Sequence, residues 1–248
     1  MENNNFTEPT PRRGFLGTVA SGAAALGLTA LMSPFQLSAQ QKKEPAKAAA
    51  PAHPRSEADI WFDKVKGHHR AVYDCTEPKE IFPFAWPLVF LMTNEATGSP
   101  ASDCGVVVVL RHASIGYAMS DSMWAKYKLG DLFKAHEVGP AFKAVDAATA
   151  TKSRNPFWNT KPGDFSIPGF GDVPIGIRDL QGKGVMFCVC NAALTVYSAI
   201  AAGQNSMKPD EVLKEWKENL IPGIQVVPSG VWAVGRAQEH KCAYTFVG

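Results

Sequence analysis

The chain has 248 residues, 46% of them hydrophobic and 19% charged, with a formal net charge of +2. That near-neutral balance, with no Lys/Arg block in the part that folds, gives nucleic-acid binding no support. Once the N-terminal region is set aside, roughly 190 residues are left, the size of one domain.

Residues 1–11 are polar, and Arg12-Arg13-Gly14-Phe15-Leu16-Gly17 follows. Residues 14–41 are uncharged and rich in Ala, Gly, Leu and Thr. A charged start before an apolar stretch is the layout of a targeting peptide, and the pattern resembles a twin-arginine export signal. It implies a signal over residues 1–39, cut after Leu37-Ser38-Ala39, passage of the folded protein through the twin-arginine translocase, and a periplasmic destination. Residues 15–37 are also just long enough for a membrane span of roughly 20 apolar residues, so anchoring by an uncut signal is the alternative. Residues 40–56, dominated by Lys, Ala and Pro, read as a flexible linker. The folded domain is expected over 57–248.

Within it, residues 70–75 predict a strand stopped by Thr76-Glu77-Pro78. Residues 84–96 predict a helix with Pro87 in its first turn. The β-branched run 104–110 predicts a strand buried on both faces. Met123, Trp124, Tyr127 and Phe133 give residues 121–133 helical spacing. Over 134–175 the pattern dissolves into Gly, Pro, Asn and Asp around Phe157, Trp158, Phe165 and Phe170. So long a connection is expected to be a lid, a binding loop or an interface arm. Residues 177–182 close a short helix, and 184–190 predict another buried strand. Asn191 is placed to cap a helix over 192–202 that Gly203 stops. Pro209 opens the next helix, with Asp210 and Glu211 in its first turn and Val212, Leu213, Trp216 and Leu220 as its apolar stripe. A strand over 224–227, a helix capped by Ser229 and running to about His240, and a strand over 243–247 complete the chain. Strands alternating with helices predict an α/β domain with a mainly parallel sheet.

Ligands of such sheets bind beyond the carboxyl ends of the strands. Cys75, Arg111, His112 and Cys190 fall there. Cys190 ends a strand and immediately precedes a helix, where the partial positive charge of unsatisfied N–H groups favours a thiolate. Arg111 or a protonated His112 nearby would add to that effect. This chemistry suits a nucleophile that attacks sulfur or carries it as a persulfide. Cys188 shares a strand face with Cys190 by alternation and would lie deeper, or pack as a small hydrophobe.

Other motifs carry less. His68, His69 and His240 are too scattered for a metal site, and none is expected. Ser229 lacks the Gly-x-Ser-x-Gly elbow and reads as a cap. Gly169-Phe170-Gly171 follows no strand and lacks the third glycine of a dinucleotide loop, so no cofactor is expected. Five cysteines leave at least one thiol unpaired in a monomer. A Cys104–Cys242 bridge and a strained Cys188–Cys190 bridge are both open on sequence grounds.

Three segments carry a resemblance. Gly184-Val185-Met186-Phe187-Cys188-Val189-Cys190-Asn191 is the first, and residues 220–231, containing Pro222-Gly223-Ile224 and Val227-Pro228-Ser229-Gly230, are the second. The third is Arg236-Ala237-Gln238-Glu239-His240 with Ala243-Tyr244. Together they resemble the DsrE/DsrF-like sulfur-relay superfamily. The resemblance lies mainly in residues 184–247, and His112 is similar to a His that often follows the second strand. It implies a compact three-layer α/β domain, assembly as a homo-oligomer (trimer or hexamer), and a cysteine that accepts sulfane sulfur, here Cys190. Residues 134–175 form an insertion relative to the compact family core. The expected function is an exported sulfur carrier or sulfurtransferase-like protein, working through a cysteine persulfide, in which Cys190 reacts, His112 and Arg111 support its thiolate, and Asn191 and Cys188 complete the binding site. The alternative is a non-catalytic binding or assembly module of the same fold.

Overall fold

The computed structural model describes residues 54–248. The expected export signal and most of the linker lie outside these described residues.

The sheet forms from the apolar runs. Strands β1 (His69–Cys75), β2 (Cys104–Leu110), β5 (Met186–Cys190), β6 (Ile224–Val227) and β7 (Ala243–Val247) make a five-stranded sheet in the order β6-β5-β2-β1-β7. Every pairing in it is parallel. Central β2 is Cys-Gly followed by four valines and Leu110, and all but Cys104 are buried. A strand covered on both faces has no position for a polar side chain, and each fully buried valine contributes about 1.5 kcal/mol or more.

Alternation along the strands sorts the core into two clusters. Ala71, Tyr73, Val106, Val108, Phe187 and Val189 point one way. They meet α2 (Phe82–Ala96), α7 (Asn191–Gln204) and α8 (Pro209–Glu218). Val72, Val107, Val109, Cys188 and Val227 point the other way, against α1 (Glu57–Phe62) and α9 (Gly230–Glu239). The result is the three-layer α/β arrangement. α1 starts at a capping box, in which the Ser56 hydroxyl accepts the Asp59 N–H and the Asp59 carboxylate accepts the Ser56 N–H. From β6 the chain returns through α9 to the far edge of the sheet, where β7 pairs with β1.

Three local readings change. α2 begins at Phe82, so Pro83 takes the first-turn position and Pro87 lies inside the helix. The helix expected over 121–133 is broken into α3 (Asp121–Tyr127) and α4 (Leu129–Leu132) by Lys128, which adopts left-handed φ 50°. The break lets Gly130 approach α5 (Ala147–Ser153) so closely that a Cβ there would sit 1.7 Å from the Thr151 carbonyl oxygen.

The third concerns residues 134–175, which pack as part of the core. They hold α5 and a small hairpin, β3 (Ser166–Ile167) and β4 (Gly171–Asp172). Phe157 stacks between Phe84, with centroids 4.0 Å apart, and Phe165, 5.1 Å away. Buried Asn155 donates to the Tyr117 and Met119 carbonyls and accepts the Phe157 N–H. These contacts satisfy backbone groups that a helix or strand would otherwise satisfy. α6 (Ile177–Gly182) then leads into β5.

Candidate functional site at the carboxyl edge of the sheet

Cys190 is the last residue of β5 and also the N-cap of α7, with no linker between them. The helix starts at Asn191, one residue before the predicted position, so the thiol does what was expected of the Asn191 side chain. Its Sγ accepts the Ala193 N–H at 3.3 Å, and the residue is 6% exposed. An N–H group aimed at sulfur from a helix start favours negative charge on that sulfur. Asn191 is half-buried, and its Oδ1 is enclosed without a hydrogen-bond partner.

The neighbouring strands bring two further elements to the same place. Leu110 is in register with Val189, and Cys190 with Val227. Arg111 therefore follows β2 on one side of Cys190, and Pro228-Ser229 follows β6 on the other. The Pro228 carbonyl accepts the Ala192 N–H. Ser229 caps α9 by accepting the Trp232 N–H at 3.2 Å. The starts of α7 and α9 thus lie side by side at this edge.

Arg111 is paired. Its Nε and Nη2 donate to the two oxygens of Asp74 at 2.6 and 2.9 Å, and Tyr244 donates to Asp74 Oδ2 at 2.9 Å. Asp74 is only 2% exposed. The Asp74 hydrogen bond holds the Arg111 guanidinium charged beyond its ordinary range, and Cys190 is among the lesser groups acting in the same direction. Burial, reinforced by the bond to Asp74, raises the Tyr244 phenol.

His112 is paired as well. Its Nδ1 lies 2.9 Å from Glu77 Oε1, and its Nε2 lies 3.4 Å from the Tyr197 hydroxyl on α7. The ring is exposed and stands edge-on to Tyr197. His112 has φ 50°, a left-handed conformation uncommon for a side chain other than glycine. The short segment Asp74-Cys75-Thr76-Glu77 therefore supplies a carboxylate to each member of the Arg111-His112 pair.

Cys188 is fully buried in the α1/α9 cluster, whereas Cys190 makes its apolar contacts in the opposite cluster. Simple alternation would put both on one face. The strand's turn into α7 separates them. Burial pushes the Cys188 and Cys75 thiols far up, which makes them inert at neutral pH. All five cysteines are free, so neither bridge considered from sequence forms.

The site thus unites Cys190, Arg111 and Asn191 with Asp74 and Tyr244, and sets His112, Glu77 and Tyr197 one turn away. Asp74, Glu77 and Tyr197 were not singled out from sequence, and Tyr244 was named only within the closing motif of the resemblance. Asp74 carried a physical signal, being the one charge in residues 71–75 of the strand, because a buried carboxylate needs a partner. No hydrogen bond or ring contact among the described residues joins the 134–175 segment to Cys190, Arg111 or His112. A groove of about 270 Å³ lies elsewhere, between α2 and the β3–β4 hairpin, lined by Leu88, Val89, Met92, Ile167 and Phe170. Among the described residues no three His, Cys, Asp or Glu side chains gather to hold a metal ion. No helix among them is long and apolar enough to cross a membrane.

No family model matches the chain, and no curated protein matches it. Among solved structures, one similar chain is a protein of unknown function from Methanobacterium thermoautotrophicum. The two share 17% sequence identity over 72% of this chain and 99% of that one, with a TM-score of 0.34. It is a weak structural neighbour.

Proposed function

We propose that this is an exported DsrE-like protein that carries sulfane sulfur on Cys190. The observation behind the proposal is the thiol that caps α7 beside Arg111. In the reaction, the Cys190 thiolate attacks the outer sulfur of a persulfide or polysulfide. One S–S bond breaks, the donor leaves as a thiolate or shortened polysulfide, and Cys190 keeps the transferred sulfur as a persulfide. The electrons balance without an outside oxidant. Export by the twin-arginine route to the periplasm and assembly as a homo-oligomer belong to the same proposal.

Treating the protein with inorganic polysulfide and weighing it intact tests this reading. The expected gain is one sulfur on the native chain and none on Cys190→Ser. A Cys190 that takes up no sulfur, and that alkylates no faster than a model thiol, would sink it.

The alternative, a binding or assembly module, draws on the exposed apolar residues Val89, Met92 and Phe170 of the groove, on Trp86 of α2, and on Val196 and Ile200 of α7. Monodisperse monomers at high concentration, together with a Cys190→Ser variant that loses its cellular role, would remove it.

A further inference from the structure

Arg111 is fixed on several sides. Asp74 takes its Nε and Nη2, Tyr244 braces Asp74 from β7, and Gly230 lies so close that a Cβ there would come within 2.4 Å of Arg111 Cβ. Nη1 has no hydrogen-bond partner among the described residues. A guanidinium required only for its charge gains nothing from a buried carboxylate that cancels that charge. A guanidinium required as a rigid, planar donor gains a fixed orientation from the two-pronged contact.

We propose that Asp74, braced by Tyr244, is a positioning residue for Cys190: it cancels the Arg111 charge and locks the guanidinium, so that Arg111 meets the sulfur on Cys190 as a fixed donor rather than as a free cation. The proposal rests on reading Cys190 as the sulfur acceptor. The negative charge of a Cys190 thiolate or persulfide is then supported by the start of α7, with Arg111 supplying direction. The titratable groups facing Cys190 are Arg111 at the end of β2 and Cys188 on β5; Asp74 on β1 and Tyr244 on β7 face Arg111, and Cys75 on β1 faces Cys188. His112, Glu77 and Tyr197 surround the next turn.

The test is site-resolved alkylation of Cys190 with iodoacetamide across pH, on the full chain. Asp74→Asn leaves the Arg111 charge uncancelled, so the pH–rate profile moves to lower pH and the rate at neutral pH rises about tenfold. The double variant Asp74→Asn/Arg111→Met returns to the native profile. A folded Asp74→Asn protein whose profile is unmoved, or moves to higher pH, overturns the proposal. If Asp74→Asn does not fold, Arg111→Lys decides. Lysine keeps the charge and loses the fork, so a polysulfide-loaded Cys190 sheds its sulfur several-fold faster while the alkylation profile stays in place. A native sulfur lifetime in Arg111→Lys overturns the proposal. If the native protein takes up no sulfur at all, the sulfur-carrier reading fails, and the Asp74 alkylation arms still decide the positioning role.

Discussion

The carboxyl edge of the sheet and the groove beside α2 are built on opposite rules. At the edge, polar groups are matched one to one, Asp74 with Arg111 and Glu77 with His112, and the start of one helix meets one thiol. At the groove almost every lining atom is apolar, and Val89, Met92 and Phe170 stand exposed. The edge holds a few groups in fixed directions, which reaction chemistry needs. The groove offers area without direction, which suits the burial of apolar surface. Substitutions should therefore act differently in the two regions.

The largest effect is expected from Asp74→Ala. It leaves Arg111 without its carboxylate and should cost about 3 kcal/mol, measured as a lower urea midpoint. A loss below roughly 1 kcal/mol would mean that the pair is solvated. Next is Cys188→Ser, which places a hydroxyl in the apolar α1/α9 cluster and should cost about 2 kcal/mol. Cys190→Ser lies where the thiol already accepts a hydrogen bond, so it should cost less than half as much by the same measurement. Gly230→Ala should cost about 1 to 2 kcal/mol because its Cβ meets the Arg111 side chain. Arg111→Ala removes Cγ and Cδ but keeps the Cβ 2.4 Å away, so it should relieve Gly230→Ala only in part, whereas it should relieve most of the Asp74→Ala loss.

Alkali tests the buried thiols. Burial holds Cys188 and Cys75 protonated far above the ordinary range and raises Cys242 to about 11. The unfolded chain releases these protons first. Their contribution is therefore complete below the ordinary thiol range; it falls as pH rises past that range, through about 11 for Cys242 and on to higher pH for Cys188 and Cys75. Thermal scans should show stability falling over that window, and Cys242→Ala should flatten the fall. The smallest effect belongs to the groove. Phe170→Ser, at a residue 68% exposed, should change monomer stability by no more than about 0.5 kcal/mol. If it lowers the sedimentation coefficient of the native protein at the same time, the groove is an assembly surface.

The strands were legible because each is a short run rich in apolar residues with turn residues around it, and residues 104–110 carry four valines in a row. Cys190 was legible because strand and helix patterns meet there without a linker. That same directness misled the cap assignment. Side-chain preference favours Asn191, but the strand runs straight into the helix, and the residue at the junction takes the N-cap. Asp74 and Arg111 are 37 residues apart, and no local pattern joins them. Phe157 and Phe165 follow no helical or strand period because loops carry them into the core, so a segment with core aromatics read only as a lid, a binding loop or an interface arm. The break at Lys128 was hidden because the approach of Gly130 to Thr151 is a tertiary contact between separate helices.

The path of the last strand has a consequence for synthesis. β1 emerges from the ribosome early, yet one of its two flanking strands is β7, and the Tyr244 bond to Asp74 spans 170 residues. At 5 to 20 residues per second, roughly ten to thirty seconds separate the two ends of that bond. Through that interval β1 has an open edge and Asp74 lacks its Tyr244 partner. A nascent chain stalled just short of residue 243 would hold Cys190 and Arg111 on an unfinished sheet, so the site is completed only when β7 arrives.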